Sequence, residues 1–554
     1  MSLPTHVIGI DTGGTYTDAV LLALASREIV ASAKVPTTAH DPALAIARGL
    51  ERVLSASTLS PADVGLITVS TTLATNALVE DKGAEVGFFV IGHDKRFSIP
   101  VTDMRFIPGG HKAKGVEAEA LGMEFLLGGI AEMKGRVDAY AVCALLGFED
   151  PTHELVAARA IELMDPRPVF CSHQASSRPG FQERASTTVL NARLLPVMRS
   201  FLRSIKDSMD RLGLACPVRI VRGDCQSMNL DDALRNSSAT VASGPAATAM
   251  FGTRAATGRT ALVVDVGGTT TDITLLRDGR PVIREEGMTI GSWRTHVQAV
   301  EMYTVGVGGD SLARVESGAL ALGPARVMPL SQAHLALDGP ALRAMENPAV
   351  WLGGDLRAQC VHLAPGTDPD GDPILSWLAQ HGPATSWHLR QELNLAESLL
   401  EKRIARLQAT RAIVTCGFTP TDALHVLGRL DLGQTEPARE GARVLAALLG
   451  LTPEGFCEQV LERAQATIAT TILTALGDRE VGPALARFMA RHDPDSLLDI
   501  TVRIRPPIVG IGAAAPCLLP EVARRLGTSV EFPRHYEVGN ALGAALMDTI
   551  QRTE

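Results

Sequence analysis

Paired cysteines are missing from this 554-residue sequence. Its eight cysteines (Cys143, Cys171, Cys216, Cys225, Cys360, Cys416, Cys457 and Cys517) form no C-x-x-C pair, and none stands at zinc-finger spacing from a histidine. That excludes a disulfide scaffold and a structural zinc module, and it reads as scattered buried thiols in a reducing cytosol. Dense Lys/Arg runs are also missing, and the net charge is -9, which argues against a nucleic-acid or anionic-membrane surface. The N-terminus, Met1-Ser-Leu-Pro-Thr-His6, has no basic n-region, and the apolar run at 7–10 breaks at Asp11. Neither a signal peptide nor a membrane span is read there, so the expected location is cytoplasmic. The pattern G-x-x-x-x-G-K-[ST] does not occur, which excludes a P-loop ATPase. Asn236-Ser-Ser238 is a glycosylation sequon by pattern only. What remains is an ordinary globular balance, long enough for about three to five units and a large core.

Self-similarity is the first positive signal. Residues 8–22 read IGIDTGGTYTDAVLL and residues 262–276 read LVVDVGGTTTDITLL. Asp11, Gly13, Gly14, Thr15, Thr17 and Asp18 recur as Asp265, Gly267, Gly268, Thr269, Thr271 and Asp272, at a constant offset of 254 residues. In each copy a β-branched apolar run leads to a Gly-Gly turn and a second alternating strand. The glycines permit positive φ and close backbone approach to a ligand. Successive exposed N–H groups in such a turn cradle phosphate. Gly13, Gly14, Thr15, Thr17, Gly267, Gly268 and Thr270 are therefore candidate phosphate contacts. An Asp at a strand end suits Mg²⁺, which prefers oxygen ligands and keeps several waters. The candidate metal residues are Asp11, Asp265, Asp18 and Asp272, with hydrogen bonding to their own turn as the structural alternative for the last two. Two hairpins of this kind, one per lobe, can grip a polyphosphate from both sides.

The pair resembles the two phosphate loops of the actin/hexokinase/heat-shock-ATPase superfamily. The resemblance implies an α/β fold of two RNase-H-like (actin-like ATPase) domains facing each other across a nucleotide cleft, with helical additions. It also implies a C-terminal glycine turn beside the adenosine, for which Gly510 and Gly512 in Pro507-Ile-Val-Gly-Ile-Gly-Ala-Ala-Ala-Pro516 are the candidates, followed by a helix over about 517–527. The same glycines fit a dinucleotide fingerprint with Glu531 about 20 residues on. Only some 45 residues follow Gly510, too few for a Rossmann domain. A second glycine cluster, Val305-Gly-Val-Gly-Gly-Asp310, precedes a helix-like Ser311–Glu316, so Gly308 and Gly309 are candidate anion contacts at a helix N-terminus.

Several stretches narrow the resemblance to the large (A-type) subunit of the hydantoinase/oxoprolinase family. They are Ser70-Thr-Thr-Leu-Ala-Thr-Asn-Ala77, Glu183-Arg-Ala-Ser-Thr-Thr-Val-Leu-Asn-Ala192, Ser243-Gly-Pro-Ala-Ala247, Asp265–Asp272 and Thr419-Pro-Thr-Asp-Ala-Leu-His425. Family activities include ATP-dependent opening of cyclic amides such as hydantoins and 5-oxoproline, and some relatives serve ATP-dependent carboxylases. The resemblance therefore implies ATP and Mg²⁺ as cofactors, a cyclic amide substrate, and Asp11, Asp265 and Thr269 as the catalytic set. It implies a second, B-type subunit as partner, with a homo-oligomer left open. A small-molecule kinase, or an ATP-driven switch, is the rival on the same scaffold.

Along the chain, strands are expected at 6–11, 18–24, 28–36, 65–70, 86–91 and 138–146, and a helix at 41–55. Domain I is placed at 1–185 and domain II at 186–554, with an irregular insertion at about 325–385. Residues 387–407 and 438–492 read as helical, and 535–551 as an amphipathic closing helix. Arg184, Thr187, Thr188 and Asn191 fall on one side of a helix, as a polar stripe facing either a ligand or solvent. Thr71, Thr72 and Asn76 are further lining candidates. His93, Asp94 and His111 sit in loop-like segments, where surface placement is favoured over metal binding.

Overall fold

The computed structural model describes residues 5–13, 16–37, 42–79, 83–93, 98–290, 293–335, 359–364, 366–410, 412–431, 433–482 and 502–550. The chain divides into two compact units: residues 1–259, 275–301 and 538–554 form unit 1, and 260–274 and 302–537 form unit 2. The boundary expected near 185 instead falls inside one continuous helix, Phe181–Leu212, entered through Gly180 and closed by Gly213 with φ 68°. A left-handed Gly just past a helix satisfies its last carbonyls.

Unit 1 is built on a mixed sheet in the order 227–228, 218–221, Val64–Thr71, His6–Thr12, Tyr16–Ala23 and Ile29–Pro36. The strands expected near 6–11, 18–24, 28–36 and 65–70 are all present. His6–Thr12 pairs antiparallel with its hairpin partner and parallel with Val64–Thr71. Helices Pro42–Ser55 and Phe181–Leu212 bury apolar side chains such as Ile46, Leu50, Phe201 and Ile205 on one face. Helices Ser243–Ala255 and Gly539–Ile550 pack together and against the sheet. A separate parallel sheet, Val169–Cys171, Ala139–Ala144, Val86–Ile91 and Asp103–Ile107, has helices on both faces. Its central strand, VGFFVI, is buried throughout, as a parallel strand covered on two sides must be.

The order of five of those six strands recurs in the second large sheet: Met302–Val305, Thr271–Arg277, Ala261–Val266, Ile508–Ile511 and Val530–Glu531. Here too the first hairpin strand runs parallel to its next neighbour, with Asp265 opposite Ile511. A second, four-stranded sheet joins 328–329, Ile413–Gly417, Gln359–Leu363 and 384–385.

Two expectations change, and a third is refined. Ser311–Glu316 is a strand paired with Ala319–Arg326, not a helix. Leu312, Ala313 and Val315 are buried, and six residues are too few for periodicity to separate strand from helix. The segment 325–385 is not an irregular linker where it is described, since it supplies the strand Gln359–Leu363 and the helix Pro373–His381; residues 336–358 lie outside the described residues. The helical stretch 387–407 is two helices, Ser386–Glu392 and Glu397–Ala409, while 438–492 holds Thr435–Leu448 and Pro453–Glu480, with 483–492 outside the described residues. Among the described residues no single helix is long and apolar enough to cross a membrane.

Candidate functional site

In unit 1 the N–H of Gly13 donates to the Tyr16 carbonyl at 3.0 Å, which closes the first hairpin. Gly14 and Thr15 lie outside the described residues. Asp11 is 7% exposed at the strand end. The Ser70 hydroxyl donates to its Oδ1 at 2.6 Å and the Asn540 amide to its Oδ2 at 3.4 Å. Ser70 gets there because the parallel register sets it opposite Asp11. The next residues carry the contact onward: the Ser243 hydroxyl donates to the Thr71 carbonyl at 2.7 Å, and Thr72 N–H donates to the Thr12 carbonyl at 3.1 Å. Gly244, in the first turn of its helix, is close enough that an added Cβ would stand 4.0 Å from Asp11 Oδ1. Three motifs far apart in sequence therefore converge on one carboxylate.

The remaining hairpin residues are engaged sideways. Thr17 is fully buried and its hydroxyl pairs with that of Thr37 at 3.0 Å. Asp18 forms an ion pair at 2.6 Å with Lys34, its cross-strand neighbour.

In unit 2 Gly267 N–H donates to the Thr270 carbonyl at 3.0 Å, the same closure as at Gly13. Thr269 and Thr270 are part-exposed in this turn. Gly308 and Gly309 do not open a helix. They brace the hairpin instead: Gly309 N–H donates to the Gly267 carbonyl at 3.0 Å, and a Cβ on Gly308 would stand 2.4 Å from that oxygen. Thr421, from the Thr419–His425 motif, caps the brace with its hydroxyl on the Gly309 carbonyl at 2.8 Å. Gly512 has φ 94°, and a Cβ there would lie 3.1 Å from Asp265 Oδ1, so only glycine lets this turn rest on the carboxylate. Gly510 has a different task, since its open side is filled by the Phe532 ring. Asp272 accepts from the Thr304 hydroxyl at 2.7 Å, across the strand pair. Dense packing, with the Asp265 charge nearby, pushes its carboxyl up to about 7.

Arg184 and Asn191 of the polar stripe on Phe181–Leu212 are engaged by other parts of unit 1. Arg184 is fully buried; it donates to the Ser172 hydroxyl at 3.1 Å and to the Leu145 carbonyl at 3.0 Å. Asn191 accepts from Ser238 N–H at 2.8 Å. The side chain of Asn76 and all of Asp94 lie outside the described residues. His93 stacks on Phe181 at 4.1 Å, and His111 is almost buried beside Asp150 and His153. Glu154, Cys171 and His173 stand close enough together to suggest a metal cluster. Glu154, however, already accepts from Ala144 N–H at 2.7 Å, the Ser172 hydroxyl at 2.5 Å, and both His173 N–H at 3.0 Å and its Nδ1 at 2.6 Å. Burial also pushes the Cys171 thiol up to about 12, so the cluster serves as a structural latch.

Sequence reasoning missed Asn540. The faint signal was the small-residue run Gly539-Asn-Ala-Leu-Gly-Ala-Ala545, which marks close helix packing around a single polar side chain.

Two sheets in the same order, each with a glycine hairpin on its central strand pair, define an actin-like ATPase fold. That fold agrees with two solved structures. Acetone carboxylase in its nucleotide-free form aligns with a TM-score of 0.68 at 16% identity, over 98% of this chain and 70% of that one. The ATP-dependent caprolactamase of Pseudomonas jessenii aligns with a TM-score of 0.64 at 22% identity, over 97% and 70%. The chain belongs to the hydantoinase/oxoprolinase family: the family's N-terminal-region model matches residues 7–164 and its hydantoinase/oxoprolinase model matches 184–553. Caprolactamase subunit alpha of Pseudomonas jessenii is 29% identical over 368 residues, 58% of this chain and 51% of that one. The acetophenone carboxylase gamma subunit of Aromatoleum aromaticum is 26% identical over 450 residues, 72% and 57%. The chain thus spans about half the length of the curated relatives it matches.

Proposed function

We propose that this chain is the ATP-binding subunit of an ATP-dependent cyclic amide hydrolase, opening a ring such as a hydantoin or 5-oxoproline. The observation that carries the reading is the pair of identically closed glycine hairpins, each ending a buried strand on an aspartate. A lactam is a poor electrophile because attack on it destroys amide resonance. Transfer of the ATP γ-phosphoryl group to the ring carbonyl oxygen gives an imidate phosphate, which water attacks readily, releasing phosphate. This chain's task is then positioning and charge stabilisation. In unit 2 the Gly268 N–H would hold a phosphate oxygen, with Thr269 and Thr270 adding hydroxyls, while the N–H groups of Gly13 and Gly267 close their own turns. Ser70 and Asn540 fix the Asp11 carboxylate, and Gly512 fixes the surroundings of Asp265.

Magnesium fits the oxygen donors of each unit taken by itself, Asp11 in unit 1 beside the Ser70 hydroxyl and the Asn540 amide, and Asp265 and Asp272 in unit 2; it would neutralise phosphate charge. The relatives named as alpha and gamma subunits support a partner subunit. The eight thiols, none in a disulfide, support a cytoplasmic setting. A carboxylase-subunit role is the second reading, favoured by the acetophenone carboxylase match.

The test is phosphate release from Mg-ATP over a panel of hydantoins, lactams and 5-oxoproline, with and without a candidate partner subunit. Stimulation by one ring class is expected. Asp11→Asn and Asp265→Asn should each lower turnover on the order of 10²-fold or more, with unchanged circular dichroism. Accumulation of a stable phosphorylated product in place of free phosphate refutes the hydrolase reading.

A further inference from the structure

A cavity of about 270 Å³ opens in unit 1, and none of the hairpin residues lines it. It is walled by the turn 175–178, Thr187 of the long helix, Arg222, the segment 236–239 and residues 296–298. Its chemistry is one-sided. Two guanidinium groups, Arg178 and Arg222, line it together with the amides of Asn236 and Gln298, and no carboxylate side chain does.

The walls are held in place by their own hydrogen bonds. His296 N–H donates to the Thr187 hydroxyl at 2.9 Å, and His296 Nδ1 pairs with the Ser176 hydroxyl at 2.9 Å. Arg178 donates to the Glu285 carbonyl. Arg222 reaches back to Asp224 at 2.6 Å through Nη2, yet its Nε is buried and has no hydrogen-bond partner. The volume equals roughly nine waters at about 30 Å³ each, room for on the order of ten heavy atoms. The cavity also lies along the chain from the proposed nucleotide site: Ser238 lines it, and five residues on Ser243 bonds Thr71 beside Asp11.

We propose that this cavity binds the oxyanion group, carboxylate or phosphate, of a small organic or inorganic anion, at a site separate from the glycine hairpins. Guanidinium groups suit either oxyanion through paired N–H donors. Isothermal titration calorimetry of the full chain, with succinate, inorganic phosphate and the neutral diamide succinamide as probes, tests it. At least one anion should bind saturably and succinamide should not; the stronger of the two anions names the class. Arg178→Gln and Arg222→Gln should each weaken that binding at least tenfold, while Asp265→Asn leaves it unchanged even where it abolishes ATP turnover. The proposal is overturned if neither anion binds, if succinamide binds as well, if both arginine variants bind as the wild type does, or if Asp265→Asn weakens binding as much as they do. Arg222 also anchors Asp224, so should Arg222→Gln fail to fold, Arg178→Gln and the wild-type selectivity still decide the matter.

Discussion

Gly9→Ala should both destabilise unit 1 and disturb Asp11. Gly9 lies in the first strand under the closing helix, and an added Cβ would stand 2.0 Å from the Ala541 carbonyl oxygen and 2.6 Å from the Ala545 nitrogen. Both obstacles are backbone, so no side chain can swing aside, and the two elements must separate by about 1 Å to reach even the tightest real contact. The helix cannot simply retreat. On its far side a Cβ at Gly543 would stand 1.8 Å from the Ala247 carbonyl oxygen, so it is already pressed onto Ser243–Ala255. Overpacking of this kind costs typically 1–3 kcal/mol, and the rigidity on both sides puts this case at about 3 kcal/mol. A cooperative unit of roughly 300 residues has an unfolding entropy near 0.6 kcal/mol per kelvin, so Tm should fall by about 5 °C. The same displacement carries Asn540 away from Asp11 and from Thr248, whose hydroxyl donates to it at 2.7 Å. Turnover should therefore fall more in Gly9→Ala than in Asn540→Ala, which removes the amide but leaves the helix in place. Differential scanning calorimetry with phosphate-release kinetics reads both effects. A Gly9→Ala melt within 1 °C of wild type would refute the close-packing argument.

Two further outcomes follow from buried titratable groups. Asp422 is fully buried and accepts from Leu330, Ser331 and Thr419 N–H and the Thr419 hydroxyl, yet burial outweighs these donors and pushes its carboxyl up to about 6. The folded state then holds this proton more tightly than the unfolded chain, so the group's contribution falls as pH rises from about 4 to about 6, by roughly 3 kcal/mol, and is flat above. Urea titrations of wild type against Asp422→Asn should show the wild type losing ground to the variant across that window; a difference independent of pH would refute this. Burial also pushes the thiols of Cys143, Cys171 and Cys457 up to about 12. At pH 8 they should resist a disulfide reagent in the native protein and react once it is unfolded; fast native labelling at these sites, read by mass spectrometry, would contradict their placement.

The two glycine hairpins were legible in the residues because each is local: strand, turn and strand lie within 15 residues, and the closure at Gly13 recurs at Gly267. The strands through Val86–Ile91 and Ala139–Ala144 were legible for the same reason, as continuous apolar runs. Where a short segment fits two periods, sequence reasoning failed: Ser311–Glu316 became a strand only because Ala319–Arg326 returns beside it. The stripe from Arg184 to Asn191 showed the correct helical face but not what covers it, which turned out to be Ser172, the Leu145 carbonyl and Ser238.

What the sequence determined by itself is the repeated local pattern: which residues make a glycine turn, and where along the chain. What only the tertiary structure decided is who holds those residues still. Asn540 reaches Asp11 across 529 residues, Gly308 and Gly309 brace the turn at Gly267, and Arg178 and Arg222 meet at one cavity. Turn propensity acts over neighbouring residues, whereas these contacts arise when separate strands and helices pack, and spacing along the chain carries no record of that packing.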